Sequence, residues 1–317
     1  MRATSGPDSS YFTAMIGRAA DGMKERSNNR TLPSGIRASS LDRVSLVRLR
    51  TVDAFAEKPF TGNPAAVVVL PEMPSDEWMA AVARETNLSD TGFVISEELP
   101  DADFRLRWFT PTVEINLCGH ATLASAHCLF DDGVDGPIRF ATRSGILTVD
   151  RRPDGSLAMD FPAWETIHSD DGSSVAAAIG LPADWTGRTT NGFFILALVA
   201  DERSVRDLSP DLAAVSELDA TVGLIVTAVA DPGKEYDFVS RVFAPQAGIP
   251  EDPVTGSAHT VLAPYWAHRL QRTSLKGLQV SARSGLVGVD VNDDRVTITG
   301  HAITVSDGTL TSAANPR

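Results

Sequence analysis

The chain has 317 residues, 43% of them hydrophobic and 22% charged, which is enough apolar material for a large core and too much for disorder over most of its length. Residues 1–44 hold seven basic and four acidic residues; the remainder has 21 basic against 37 acidic, a net −16 within a total of −13. A body this acidic is repelled by phosphate backbones and anionic lipid, which sets aside nucleic-acid and membrane-surface roles.

In chain order, residues 1–44 read as a polar, flexible extension with Asn28-Asn29 and Pro33-Ser34-Gly35 but little apolar periodicity. No basic segment followed by an apolar stretch opens the chain, so a soluble cytoplasmic protein is expected. Val47, Leu49, Val52 and Phe55 predict a strand, Gly62-Asn63-Pro64 a turn, and Ala65–Leu70 a buried strand. Ser75 is a good N-cap ahead of Asp76 and Glu77, and the helix it starts should end near Thr86. The two cysteines, Cys118 and Cys128, are too few for a disulfide scaffold and form no zinc-binding spacing.

A repeat organises the rest. Arg107-Trp108-Phe109-Thr110-Pro111 recurs as Arg241-Val242-Phe243-Ala244-Pro245, an offset of 134, and each is followed by a Gly-X-Ala, at Gly119 and at Gly256. Ala65–Leu70 answers to Phe193–Val199, Thr91–Ile95 to Val222–Val226, and the Ser75 helix to one capped by Ser209 with Pro210 at its first position. Such order implies two copies of one α+β unit: a first lobe over 45–155 and a second over 156–311, with the C-terminal strand able to return to the first. Each Gly-X-Ala opens a helix of small residues, read as buried within a curved sheet and aimed at a shared cleft. Unpaired N–H groups at two converging helix ends suit a carboxylate without metal or basic side chains.

Several residues near those ends could carry chemistry. Asp90, beside Ser89 and Thr91 at a strand entrance, is either a general acid/base or a turn-forming aspartate. His120, after Gly119, either serves a ligand or bonds the backbone as a buried helix-start histidine. Asp252, upstream of Thr255-Gly256-Ser257, either contacts a ligand or complements the helix dipole, and Ser257 is a donor or a cap. Cys118 invites a two-thiol racemase, but its repeat partner is Thr255, so both cysteines read as small packing residues. The other five histidines show no ligand spacing, and no nucleotide, metalloprotease or serine-hydrolase motif occurs. No cofactor or metal is expected.

Pro59-Phe60-Thr61-Gly62-Asn63-Pro64, Asn87-Leu88-Ser89-Asp90-Thr91, Leu117-Cys118-Gly119-His120-Ala121, Glu251-Asp252-Pro253-Val254-Thr255-Gly256-Ser257, Pro264-Tyr265-Trp266 and Gln279-Val280-Ser281-Ala282-Arg283 resemble the PhzF-like (phenazine biosynthesis) family over about residues 47–305. The resemblance implies a diaminopimelate-epimerase-like fold, two lobes each a barrel-like sheet around a central helix, and a cofactor-free isomerase moving a proton on a small carboxylate-bearing diene. Asp90, His120 and Asp252 fall on its catalytic positions; Ser89, Cys118, Gly119, Thr255, Gly256 and Ser257 would bind substrate, in a homodimer without nucleic-acid or membrane partners. Where the family usually has Glu this chain has Asp90, and a retreat of about an ångström can cost on the order of 10²-fold. The shorter acid also leaves room for water, as hydrolytic C–C cleavage in antibiotic-type pathways requires; a non-catalytic binding protein is the third expectation. Ser284 stands where a second glycine is common.

Overall fold

The computed structural model describes residues 46–316, so the extension over 1–44 lies outside the described residues. One unit runs β1 (Arg48–Ala54), β2 (Asn63–Leu70), α1 (Asp76–Thr86), β3 (Asp90–Ile95), β4 (Phe104–Phe109), β5 (Glu114–Ile115), α2 (Gly119–Asp131), β6 (Ile138–Thr142), β7 (Gly145–Arg151), β8 (Leu157–Pro162) and β9 (Thr166–His168). The other runs α3 (Gly172–Ile179), β10 (Trp185–Thr189), β11 (Phe194–Leu198), α4 (Glu202–Arg206), α5 (Leu212–Ser216), β12 (Gly223–Val229), β13 (Phe238–Ala244), β14 (Ile249–Asp252), α6 (Gly256–Leu270), β15 (Ser274–Gln279), β16 (Gly285–Asn292), β17 (Arg295–Gly300) and β18 (Ala302–Thr309).

Strand pairing shows the duplication directly. One curved sheet is ordered β18-β1-β2-β3-β4-β6-β7-β8 and encloses α2; its counterpart, β9-β10-β11-β12-β13-β15-β16-β17, encloses α6. The parallel pairs fall at matching places, β2 with β3 and β11 with β12, then β4 with β6 and β13 with β15. Each unit gives its last strand to the other lobe: β9 pairs with β10, and β18 with β1. Antiparallel pairing of β8 with β17 joins the two sheets. Neither sheet closes on itself, so the expected barrels are open troughs.

The strands read as buried because they are covered twice. In β2 and β3, Ala65, Val67 and Val94 face α2, while Val68, Leu70, Phe93 and Ile95 pack outward with Met79 and Val82 of α1. A strand buried on both faces loses its alternation and becomes a continuous apolar run. The second lobe repeats this, with Leu196 facing the inner core and Ile195 and Ala197 facing α3. Helices α2 and α6 are buried nearly all round, as helices lacking a polar face must be.

Local signals explain most boundaries. The Ser75 hydroxyl accepts from Trp78 N–H at 3.2 Å and starts α1 as expected. The Ser209 cap was misplaced: Asp211 caps α5, its carboxylate accepting from the N–H groups of Ala213 and Ala214, while its own N–H donates to Ala178 at the end of α3. Pro264 within α6 has no N–H for the carbonyl of Thr260, and the N–H of Trp164, in the segment crossing between lobes, donates to that oxygen instead at 3.0 Å. Among the described residues no helix is long and apolar enough to cross a membrane.

Ser284 adopts φ 58°, a left-handed backbone that glycine takes without steric penalty, which gives a physical reason for glycine being common there. Ser284→Gly is expected to stabilise the fold by about 0.5–1 kcal/mol, read as a higher urea midpoint; an unchanged or lower midpoint would show that Ser284 is not strained.

Candidate active site

Five chain segments meet at the facing ends of α2 and α6. A Cβ placed on Gly119 would stand 3.8 Å from the Cα of Gly256, and the converse distance is also 3.8 Å. The two helix starts thus stand close enough that a single added methyl on either glycine would just reach van der Waals contact with the other. The N-cap residues, Cys118 and Thr255, make no side-chain cap bonds to their helices; both side chains turn to aspartates.

On the first-unit side, Asp90 opens β3 and is 6% exposed. The Cys118 thiol donates to its Oδ2 at 3.3 Å, and His120 Nε2 lies 3.4 Å from the same oxygen. Asp90 Oδ1 is buried with no hydrogen-bond partner among the described residues. On the second-unit side, the Thr255 hydroxyl donates to Asp252 Oδ2 at 2.6 Å. Gln279 receives the Thr255 N–H at 2.8 Å and donates to the Asp252 carbonyl at 2.7 Å. Asn63, at the start of β2 and fully buried, spans the two sides: its Nδ2 lies 2.8 Å from Asp252 Oδ1, 2.9 Å from the Val254 carbonyl and 3.3 Å from His120 Nδ1.

Burial dominates the electrostatics. It raises the pKa of Asp90 to about 7, against the lowering effect of the Cys118 hydrogen bond and with help from the nearby charge of Asp252. It raises Asp252 to about 6, opposed by the hydrogen bonds from Thr255 and Asn63. Burial also lowers His120 to about 3, so its imidazole is neutral at physiological pH, and together with the charge of Asp90 it holds Cys118 as a thiol. The site thus offers two carboxyls that change protonation near neutrality, set beside a neutral ring and a thiol.

The structure brings Asp90, Cys118, His120, Asp252, Thr255, Gly119 and Gly256 together. Cys118 is more than packing, since its thiol bonds Asp90, whereas Cys128 is buried in the core of α2. Ser89 stands just before β3, partly exposed; Ser257 is also partly exposed, its carbonyl accepting from the Thr260 hydroxyl. His259, buried one turn into α6, donates from Nδ1 to the Thr255 carbonyl at 2.8 Å. Sequence reasoning took Asn63 for a turn residue and assigned Gln279 no role. Candidate ligand atoms of Asp90, Cys118 and His120 lie within 4.8 Å of one another, a grouping that no spacing in the sequence displayed. A surface groove lined by Arg105, Arg107 and Arg143 is separate, its guanidiniums paired with Glu97, Asp76 and Glu114.

The family model described as phenazine biosynthesis-like protein, PhzC-PhzF, matches residues 52–308. A Pseudomonas aeruginosa protein named as an uncharacterized isomerase is 48% identical over 261 residues, covering 82% of this chain and 96% of its own. The crystal structure of a PhzF-family phenazine biosynthesis protein from Enterococcus faecalis superposes with a TM-score of 0.79 at 40% identity, over 84% of this chain and 99% of that one. A predicted epimerase from Pseudomonas aeruginosa superposes with a TM-score of 0.67 at 25% identity, over 83% and 99%. The two-lobed architecture is that of the diaminopimelate-epimerase-like proteins.

Proposed function

This chain belongs to the PhzC-PhzF, phenazine biosynthesis-like family, and within that family of isomerases we propose a cofactor-independent enzyme that moves a proton on a small, carboxylate-bearing, unsaturated metabolite. Asp90 carries the reading: a buried carboxyl with one oxygen held by a thiol and the other free. Its pKa of about 7 makes both protonation states available near neutral pH, which is what a group acting first as base and then as acid needs.

In the proposed reaction the free oxygen of Asp90 takes a proton from an acidified carbon, and the electron pair left behind shifts through the adjacent double bond. The protonated carboxyl exchanges its proton with solvent and then delivers one to another carbon, leaving an isomer and the original carboxylate. The substrate carboxylate sits at the starts of α2 and α6, whose N–H groups supply positive potential without a basic side chain. Asp252, from the opposite lobe, faces the hydroxyl or cationic part of the substrate.

Turnover of a panel of cyclic unsaturated carboxylates in D₂O tests this. Deuterium at a new carbon of an isomeric product supports proton transfer. In a parallel run in H₂¹⁸O, label in a shorter product would replace it with C–C hydrolysis, a reading favoured by the buried Oδ1 of the shorter acid, which has no hydrogen-bond partner among the described residues. Saturable binding with neither label would leave a binding protein.

A further inference from the structure

We propose that Asn63 is a positioning residue that keeps the proton of the neutral His120 ring on Nε2, facing Asp90, while holding Asp252 of the other lobe in place. The amide orientation is fixed by its partners. The atom lying 2.8 Å from Asp252 Oδ1 and 2.9 Å from the Val254 carbonyl must be nitrogen, since a carbonyl can only accept. That nitrogen is also 3.3 Å from His120 Nδ1. Its two protons serve three acceptors, so the contact with the ring is a shared one; a proton on Nδ1 would meet this donor, and the sole acceptor near it among the described residues is the weak one of the Cys118 sulfur at 3.4 Å, whose own proton goes to Asp90. At the other end of the ring, Nε2 lies 3.4 Å from an Asp90 carboxylate oxygen, which can only accept when ionised. The Asn63 amide and the Asp90 carboxylate select the same tautomer, and together they outweigh the weak acceptor that the Cys118 sulfur offers to Nδ1.

Asn63 is itself clamped from both sides. Ala54 pairs with it across β1 and β2, and its predecessor Gly62 donates its N–H to the Ser284 carbonyl at 2.6 Å while its carbonyl accepts from Arg283 at 2.9 Å. Arg283 in turn pairs at 2.7 Å with the buried Asp53. Arg283 and Ser284 of the second unit thus set the position of an amide that belongs to the first. The value of this arrangement to proton transfer rests on the function proposed above; the tautomer itself does not.

Long-range ¹H–¹⁵N correlation spectra of the full-length protein at pH 8 read the tautomer without any substrate, with His120→Gln identifying the signals. The wild type is expected to show His120 wholly as the Nε2–H form. In Asn63→Asp a carboxylate faces Nδ1, and the population is expected to invert to Nδ1–H. A merely structural role for Asn63 would not move the tautomer. Should that variant not fold, Asn63→Leu, with no donor at Nδ1, is expected to show a mixture of both forms. Wild-type His120 found as Nδ1–H, or an unaltered Nε2–H form in the folded Asn63 variants, would overturn the proposal. None of these outcomes depends on whether deuterium enters a product.

Discussion

Asp90→Asn is expected to lower solvent-deuterium incorporation by about 10²–10⁴-fold, the usual contribution of a positioned acid/base group, and at the same time to raise the melting temperature. The second effect follows from linkage. Burial lifts the carboxyl from an ordinary value of 3.8 to about 7 in the folded protein. The stability associated with the protonated group is therefore present in full below about pH 4 and is lost as pH climbs toward about 7, because the unfolded chain ionises first. An amide has no such loss, so the gain in melting temperature should be larger at pH 8 than at pH 4.5. Activity falling while stability rises marks a group kept for chemistry. Full deuterium incorporation by the variant would remove Asp90 from the mechanism; a melting temperature that gains nothing between the two pH values would show that its carboxyl is not raised.

Gly62→Ala should have a large effect on folding. Gly62 has φ +70°, and a Cβ there would lie 2.2 Å from the carbonyl oxygen of Ala54, a backbone atom at the end of β1 that cannot swing aside. Left-handed strain and overpacking together should cost on the order of 3 kcal/mol or more. Gly155 separates the two contributions: its φ is +85° with nothing within 4 Å of the added atom, so Gly155→Ala should cost only about 1 kcal/mol, the conformational part alone. Urea denaturation of both variants measures the difference. Equal midpoints would show that β1 yields easily at Ala54 and that the start of β2, with Asn63, is not rigidly placed.

What the sequence revealed and what it concealed divide along chain distance. The Ser75 cap, the continuous apolar run of β2 and the two Gly-X-Ala helix starts are local patterns, and their recurrence disclosed the two units. The α5 start was misread because Ser209-Pro210 and Asp211 are both respectable caps; the hydrogen bond from Asp211 N–H to Ala178 decides between them, and it comes from another helix. Asp90 and Cys118 are separated by 28 residues and become neighbours only because β3 runs beside α2. Asn63 was hidden more thoroughly. Between glycine and proline an asparagine signals a turn, and nothing nearby shows that its amide reaches Asp252 and Val254, 189 and 191 residues away.

The exchange of last strands has a consequence for the order in which the molecule can be made. β1 leaves the ribosome before every other described strand, yet the edge it presents is covered by β18, where Arg48 pairs with Thr309. The first lobe therefore waits, one strand short, through synthesis of the entire second unit. Such long-range pairing forms late and leaves a sheet edge exposed in the meantime. A product truncated before Ala302 would carry every residue of the candidate site and still lack the strand that finishes the lobe bearing Asp90.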